Sequence, residues 1–338
     1  MDRISVLGVD LAKNVFQLHG VSERGQVVLR RKLSRQGFKK FMANLEPCLV
    51  GMEATSGSRH WQREFKKLGH DARLIAPQFV KPFVKSDKND VNDAEAICEA
   101  VQRPSMRFVG EKTLEQQEIQ MLHRVRGSLI AYRTELGNEI RAVLSDYEVV
   151  APQGLARLRE KVLEILSSDQ SPVSEVGKSI LGSLLEQWSN CNEQLAKMDQ
   201  HLEKVFEKHE VCRRLVTIPG VGPITATAIV GTVPDIGGFK SGRHLSAWLG
   251  LVPKQNSSGG KHRLSGITKR GDTYLRTLLI HGGRSVVRAS AKKTDKRSLW
   301  VIAKAKTRGK NKAAVAVANK NARVIWKILK TDQVYRAQ

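Results

Sequence analysis

The sequence is poor in the features that mark a secreted, metal-stapled or membrane-spanning chain. Its four cysteines, Cys48, Cys98, Cys191 and Cys212, stand far apart, and no CxxC or Cys/His cluster occurs. A structural zinc site is not expected, and isolated thiols suit buried positions in a reducing compartment. No apolar run approaches the roughly 18–20 residues of a membrane span. The opening stretch MDRISVLGVDLAK lacks the charged-then-apolar layout of a signal peptide, so a cytoplasmic, nucleoid-associated protein with no membrane partner is expected. Aromatic residues make up only 5%, and no aromatic RNA-recognition signature is present. Acids are scarce as well: 33 Asp and Glu face 57 Lys and Arg, a net charge of +24.

What is present begins with that charge. Between Lys254 and Lys330 stand 21 Lys and Arg against two acids, Asp272 and Asp295, so the surplus is concentrated in the C-terminal quarter. A localised footprint of this kind points to a polyanion, and nucleic acid is the commonest one. The 338 residues, 41% of them hydrophobic, are enough for two or three domains with cores of their own.

Pattern along the chain predicts strands over 4–10, 14–21, 25–33, 48–53 and 70–76. Helices are expected over 34–45, with Ser34 as N-cap, over 58–69 and over 89–102, giving the order β-β-β-α-β-α-β-α. Residues 112–146 and 154–210, the latter interrupted at SSDQSPVS, carry helical spacing and predict two long antiparallel helices or a coiled coil. In VTIPGVGPITATAIVGTV (216–233) a Gly-Val-Gly turn separates two apolar helical patterns. That is the layout of a helix-hairpin-helix, whose turn, with Gly220 and Gly222, presents N–H groups to a phosphate; the alternative is a tight helix turn inside a core. A helix over 239–253 follows, then basic helix and loop to the end.

Four acids stand out by position. Asp10 ends the first strand and Glu53 the fourth; Asp90 and Asp93, three apart at a helix start, share one face. Strand ends and a helix start can meet at one sheet edge, where like charges raise each other's pKa unless a cation joins them. Carboxylate-only ligands suit Mg²⁺ or Mn²⁺. Singly, Asp90 and Asp93 could merely favour the helix dipole. As a set, on this element order, the four match a ribonuclease-H-like fold. The actin-like ATPases share the opening topology, but they need a second phosphate turn where residues 112–210 are helical.

The stretch KQNSSGGKHRLSGITKRGD, 254–272, reads on its residues as a flexible basic loop that grips phosphate, or as a site where one hydroxyl does chemistry. Serine is a weak nucleophile that needs a base or a metal. Gly259 and Gly260 would admit a nucleic-acid backbone closely, and Lys261, Arg263, Lys269 and Arg270 would neutralise its phosphates.

The segments GVDLAK (8–13), GMEATSG (51–57), KNDVNDAEAI (88–97), IPGVGPITA (218–226) and LSAWLGLVPKQNSSGGKHRLSGITKRGDTYLR (245–276) together resemble the DEDD-type transposases of bacterial insertion sequences. These are the bridge-RNA-guided recombinases of the insertion-sequence family numbered one hundred and ten, and the serine segment is similar to its one-one-one-one subgroup. The resemblance runs over nearly the whole chain. It implies a RuvC-like domain over 1–110, a helical coiled-coil region over 111–210, and a mainly α-helical C-terminal transposase domain over 211–338. It implies that Asp10, Glu53, Asp90 and Asp93 bind Mg²⁺ or Mn²⁺. Ser258, with Ser257 as the fallback, would attack a DNA phosphate and form a phosphoserine link. A structured noncoding RNA would select target and donor DNA, and a homo-oligomer would bring one subunit's acids to another's serine. A hydrolytic RuvC-like junction nuclease and a nonenzymatic nucleic-acid-binding protein are the competing functions.

Overall fold

In the computed structural model, residues 3–85, 89–259, 261 and 263–336 are described. The chain divides into two compact units, Met1–Lys112 and Thr113–Gln338.

The first unit is built on strands β1 (Val6–Leu11), β2 (Val15–Val21) and β3 (Val27–Ser34), helix α1 (Arg35–Asn44), β4 (Leu49–Glu53), α2 (Ser58–Lys67), β5 (Asp71–Ile75), the short α3 (Pro77–Val80) and α4 (Asp90–Val101). The strands form one mixed sheet in the order β3-β2-β1-β4-β5. The meander β1-β2-β3 is antiparallel, whereas β1-β4 and β4-β5 are parallel. This mixed sheet with its helices is the architecture expected of a RuvC-like DEDD domain. Ser34 caps α1 as its sequence implies, accepting from the Gly37 amide at 3.3 Å.

Alternation along the strands sorts the two faces. Leu7, Val9, Val50 and Met52 join Phe16, Leu18, Phe38, Trp61 and Phe65 in a core shared with α1 and α2. Val6 and Leu49 point to the other face, where Ile97, Ala100 and Val101 of α4 pack. Phe16 and Phe38 stack with centroids 4.5 Å apart, and Trp61 meets Phe16 edge-on at 5.2 Å. The fully packed rings Phe16, Phe38, Trp61 and Phe65 thus lie on the face away from α4, while Phe79, Phe83 and Phe108 pack partly buried on the α4 side.

The second unit contains α5 (Leu114–Asp146), α6 (Leu155–Ser167), α7 (Glu175–Lys208), α8 (Glu210–Leu215), α9 (Pro223–Thr232), α10 (Gly242–Trp248), β6 (Pro253–Gln255), β7 (Leu264–Ile267), α11 (Thr273–Ser290), α12 (Lys296–Arg308) and α13 (Lys310–Thr331). Helix α5 opens on a capping box between Thr113 and Gln116. Its partner is α7, and the pair is antiparallel: Glu115 meets Lys208, Arg126 meets Asp199, and Tyr132 meets Gln187. Leu181, Leu185, Trp188, Cys191, Leu195 and Leu202 are the buried stripe of α7. Helices α8 to α11 and α13 enclose a separate core around Leu215, Ile218, Leu245, Leu279, Ala318 and Ile325.

Two local expectations are corrected. The helix expected over 239–253 stops at Trp248, because Gly250 takes a left-handed φ of 72° and Pro253 opens a strand. The basic stretch after it is not a plain loop but the hairpin β6-β7. Its strands are three and four residues long and mostly exposed, so no apolar alternation announces them. All four cysteines are free and buried. Among the described residues no helix is long and apolar enough to cross a membrane.

Candidate active site and nucleic-acid interface

In the first unit, β1 and β4 lie side by side with Gly8 opposite Gly51 and Val9 opposite Met52. The next position up each strand is Asp10 and Glu53. Because side chains alternate, Asp10 shares the face of Gly8, and Glu53 that of Gly51. Helix α4 covers this face. A Cβ on Gly8 would lie 2.5 Å from the Cys98 amide nitrogen, and one on Gly51 would lie 2.8 Å from Val101 Cβ. No side chain fits at either position without moving the helix.

The direction of α4 follows from its contacts. Cys98 Sγ reaches the Val6 carbonyl at 3.9 Å, while Ala94 sits over Gly8. Going back along α4 thus moves forward along β1. Four helical residues rise about 6 Å, and two strand residues about 6.6 Å. The turn holding Asp90 and Asp93 therefore stands at the carboxyl ends of β1 and β4, level with Asp10 and Glu53. Asn89 starts that turn by accepting from the Asn92 amide at 2.9 Å. Asp10, Glu53 and Asp93 are half-buried and Asp90 is exposed. Among the described residues, no three His, Cys, Asp or Glu side chains are close enough together to hold one ion. The backbone thus brings the four acidic positions to one end of the sheet without gathering their carboxylates into a ligand cage.

Two residues beside the acids escaped sequence reasoning. Gln17 pairs with Asp10 across β1-β2, and His19 pairs with Gly8, so both flank the acidic edge on the α4 side. Both are buried. Burial pushes the His19 pKa down, against the pull of Glu95, while Arg30 and Lys85 add to the lowering. The signal was available: polar Gln17 and His19 alternate with the core residues Phe16 and Leu18. Glu95, an acidic neighbour of the set, instead makes ion pairs with Lys85 at 3.1 Å and Arg30 at 3.5 Å. Its hydrogen bond to Lys85 is the main force holding its carboxyl below the ordinary range.

In the second unit, Ser257 and Ser258 lie at the tip of the β6-β7 hairpin, both exposed. The Lys261 amide donates to Ser258 O at 3.0 Å, closing the tip, and the Asn256 amide donates to Arg263 O at 3.0 Å. Ser257 Oγ accepts from Gln255 at 3.0 Å. Gly259 has φ of 54° and open space where a side chain would be. Gly260, His262 and Asp87 lie outside the described residues. Lys261, Arg263, Lys269 and Arg270 are exposed around this hairpin. Among the described residues, no ion pair involves any cation between Lys254 and Lys330. The tract's two acids serve as N-caps instead: Asp272 accepts from Leu275 N at 2.7 Å and Asp295 from Ser298 N at 3.0 Å.

The foot of the hairpin is clamped. Thr268 N donates to Val252 O at 2.9 Å and Lys269 N to Gly250 O at 3.2 Å. Arg276 on α11 is buried and donates to Arg270 O at 3.1 Å, Leu249 O at 3.3 Å and Thr273 Oγ1 at 3.0 Å. Next to it, Tyr274 hydrogen-bonds His123 of α5 at 3.1 Å, and the other ring nitrogen of His123 meets Thr227 of α9 at 3.0 Å. Burial, helped by Arg126, pushes the His123 pKa down to about 4.

The Gly-Val-Gly turn links α8 to α9. Gly220 has φ of 87° and presses on α11, where an added Cβ would lie 2.7 Å from Gly282 O. Gly222 begins α9 and faces open space. The Pro219 carbonyl is held by buried Asn321 at 3.0 Å and Arg297 at 3.4 Å, which fixes the turn. Beside it is a cavity of about 600 Å³ whose walls include Gly222, Thr225, His281, Arg284 and Arg288. The two arginines, one turn apart on α11, were not singled out from sequence.

Comparison with known proteins fits this arrangement. Residues 212–298 match the family described as "Transposase IS116/IS110/IS902 family", and residues 7–149 match the DEDD transposase profile of the IS110 type. The chain is 46% identical over 334 residues to "Probable family 20 transposase" of Pseudomonas aeruginosa, covering 98% of this chain and 99% of that one. It is 46% identical over 336 residues to "Transposase for insertion sequence element IS1111A" of Coxiella burnetii, covering 99% and 92%. A third relative, "Transposase for insertion sequence element IS1328" of Yersinia enterocolitica, is 37% identical over 335 residues, 99% of each chain. The two profile matches fall on the acidic sheet edge and on the segment running from the glycine turn through the serine hairpin, and with full-length relatives at this identity the chain belongs to the IS110/IS116/IS902 family of insertion-sequence DEDD transposases.

Proposed function

We propose that this transposase cuts and rejoins DNA through a covalent link to Ser258. The observation that carries the reading is the hairpin tip: an exposed serine hydroxyl on a clamped stem, beside a glycine open to approach and cations that have no ion-pair partner among the described residues. Ser258 Oγ attacks the phosphorus, one phosphoester bond to serine forms, and one bridging P–O bond of the DNA breaks. The serine proton leaves to a base, and the released sugar oxygen takes up a proton. Reversal with a different sugar hydroxyl rejoins the strands and frees the serine. Lys261, Arg263, Lys269 and Arg270 neutralise phosphate charge around the tip, and Gly259 and Gly260 allow the backbone to approach. Gly220 and Gly222, with Arg284 and Arg288, form a second phosphate contact at the start of α9.

Asp10, Glu53, Asp90 and Asp93 would hold Mg²⁺ or Mn²⁺, which when bound supplies positive charge to phosphate oxygens and lowers the pKa of a coordinated hydroxyl. Their all-oxygen chemistry and shared position at one sheet end support this assignment. A structured noncoding RNA is proposed to choose target and donor DNA, its phosphates meeting the basic helical surface of the second unit. Exposed Met121, Val125, Val176 and Ile180 on α5 and α7 support self-association into a homo-oligomer. A cytoplasmic, nucleoid-associated location goes with these partners.

Trapping the full chain on a cleavable DNA end, with guide RNA and Mg²⁺, tests the reading. A protein–DNA adduct is expected, lost in Ser258→Ala and in Asp10→Ala. An adduct that survives Ser258→Ala and disappears in Ser257→Ala moves the nucleophile one residue back. Free DNA ends with no adduct, indifferent to Ser258, would establish the hydrolytic junction nuclease. Binding without cleavage, unaffected by Asp10→Ala or by chelator, would establish a nonenzymatic binder.

A further inference from the structure

At the foot of the serine hairpin lies a groove of about 450 Å³ that none of the roles above uses. One wall is the face of α13 bearing Lys312, Val315, Ala316, Asn319, Lys320 and Arg323, residues spaced three and four apart and therefore aligned in one stripe. The opposite wall comes from the hairpin strands, through Pro253 and Ile267, and from Leu251 just before them, with Trp300 of α12 closing the side. The groove thus has an apolar floor, one large aromatic ring and three cations, and among the described residues no acid lines it. Asn319 fixes its shape by donating to Ser246 Oγ at 2.6 Å and to Leu251 O at 3.1 Å. The Lys320 ammonium stands 4.8 Å from the Trp300 ring centroid.

We infer that this groove binds an unpaired nucleotide of the DNA strand on which Ser258 acts, the base against Trp300 and the apolar floor, the phosphates against Lys312, Lys320 and Arg323. The chemistry is that of single-strand recognition, in which an aromatic face accepts any base and cations follow the backbone. An apolar peptide would leave three cations without partners. A duplex keeps its bases stacked inside and has none to offer. The volume lies within the range of small-ligand pockets and accommodates one nucleotide. Lys320 is exposed and long, so it can leave the ring face for a phosphate as the base arrives. The choice of DNA rests on the proposed role of Ser258, because Pro253 and Ile267 belong to the strands that carry that serine's hairpin.

The test is fluorescence anisotropy of the full chain with a labelled dT12 strand, a labelled rU12 strand and a 12-base-pair duplex. Trp300→Leu retains apolar bulk and removes the π face. It is expected to weaken dT12 binding roughly 5- to 150-fold, the range for one stacked base, while duplex binding and the melting temperature hold. Trp300→Phe, which keeps an aromatic face, should keep most of the affinity. Lys320→Ala should lower the slope of log affinity against log salt by about 0.7 on dT12, one single-strand phosphate contact. Unchanged dT12 affinity in a folded Trp300→Leu protein overturns the inference. A loss larger for rU12 than for dT12 overturns the assignment to DNA. The serine reading is scored separately: Ser258→Ala should abolish the adduct and leave dT12 binding intact. Trp300-dependent dT12 binding in a wild-type protein that forms no adduct overturns the serine reading and upholds the groove.

Discussion

Replacing Arg276 with methionine should loosen the serine hairpin from its foot upward. The guanidinium is buried and shares its hydrogens among Arg270 O, Leu249 O and Thr273 Oγ1. Methionine fills most of the volume and supplies no donor. Two backbone carbonyls then lose a buried, charged partner at roughly 1–3 kcal/mol each, so the variant should be destabilised by about 2–6 kcal/mol. The loss is local first, because Arg276 bridges the foot of the hairpin, where the bonds from Thr268 N to Val252 O and from Lys269 N to Gly250 O join its two sides. Native-state hydrogen exchange reads this directly. Protection at the Thr268 and Lys269 amides should fall by more than protection in α13, the urea midpoint should drop, and adduct yield should drop with it. Arg276→Lys, which retains the charge but not the fork, should fall between wild type and Arg276→Met. If Arg276→Met shows wild-type protection at Thr268 and Lys269 and a wild-type midpoint, the clamp does not hold the hairpin and the reasoning fails.

Two further perturbations follow from the same packing. His123 is neutral in the fold, its pKa lowered to about 4 by burial and by Arg126, and titrates near 6.5 when unfolded. The unfolded state therefore takes up the proton first. Stability is fully present above about pH 6.5 and declines as the pH falls toward 4, by up to about 3 kcal/mol. Urea midpoints at pH 7.5 and 4.5 should show that decline and should lose most of it in His123→Gln; an equal decline in both proteins would remove His123 as its source. In the first unit, Gly8→Ala puts a methyl group 2.5 Å from the Cys98 amide and against Ala94 O. Displacing α4 should cost about 1–3 kcal/mol and reduce adduct formation although no carboxylate changes, as thermal melting and the trapping assay would show.

Patterns of apolar residues made the first unit readable. Its five strands, α1, α2 and α4 fall within a residue or two of their expected places, because each buries a regular face. The long helices were legible as helical spacing, most clearly in α7, whose buried residues run from Leu181 to Leu202, while the expected segment 154–210 is broken into α6 and α7 at the interruption SSDQSPVS. The β6-β7 hairpin was not. Its strands are mostly exposed, so the periodicity that reveals a strand is missing, and what holds it is a set of carbonyls bound by Arg276 some twenty residues on from the tip. The groove beside it draws on α12, α13 and the hairpin, a juxtaposition that arises only through tertiary packing. Nothing in the sequence marks Arg276 or Trp300 for these places.

The acidic edge carries a pattern that is local and physical, although single residues hide it. Asp10 closes the triplet Gly8-Val9-Asp10 and Glu53 closes Gly51-Met52-Glu53. Each triplet is glycine, core residue, acid. The middle residue faces the aromatic core, so its two neighbours must face α4. The glycine admits the helix backbone, and the acid then lies one strand repeat beyond the contact, where the helix begins. A side chain at the glycine would lift α4 and carry Asp90 and Asp93 away from the strand ends. The pairing of Gly8 with Gly51 shows that both strands meet this demand at the same height. Glycines two residues before the acids therefore help bring the four acidic positions to one end of the sheet, although they carry no carboxylate themselves.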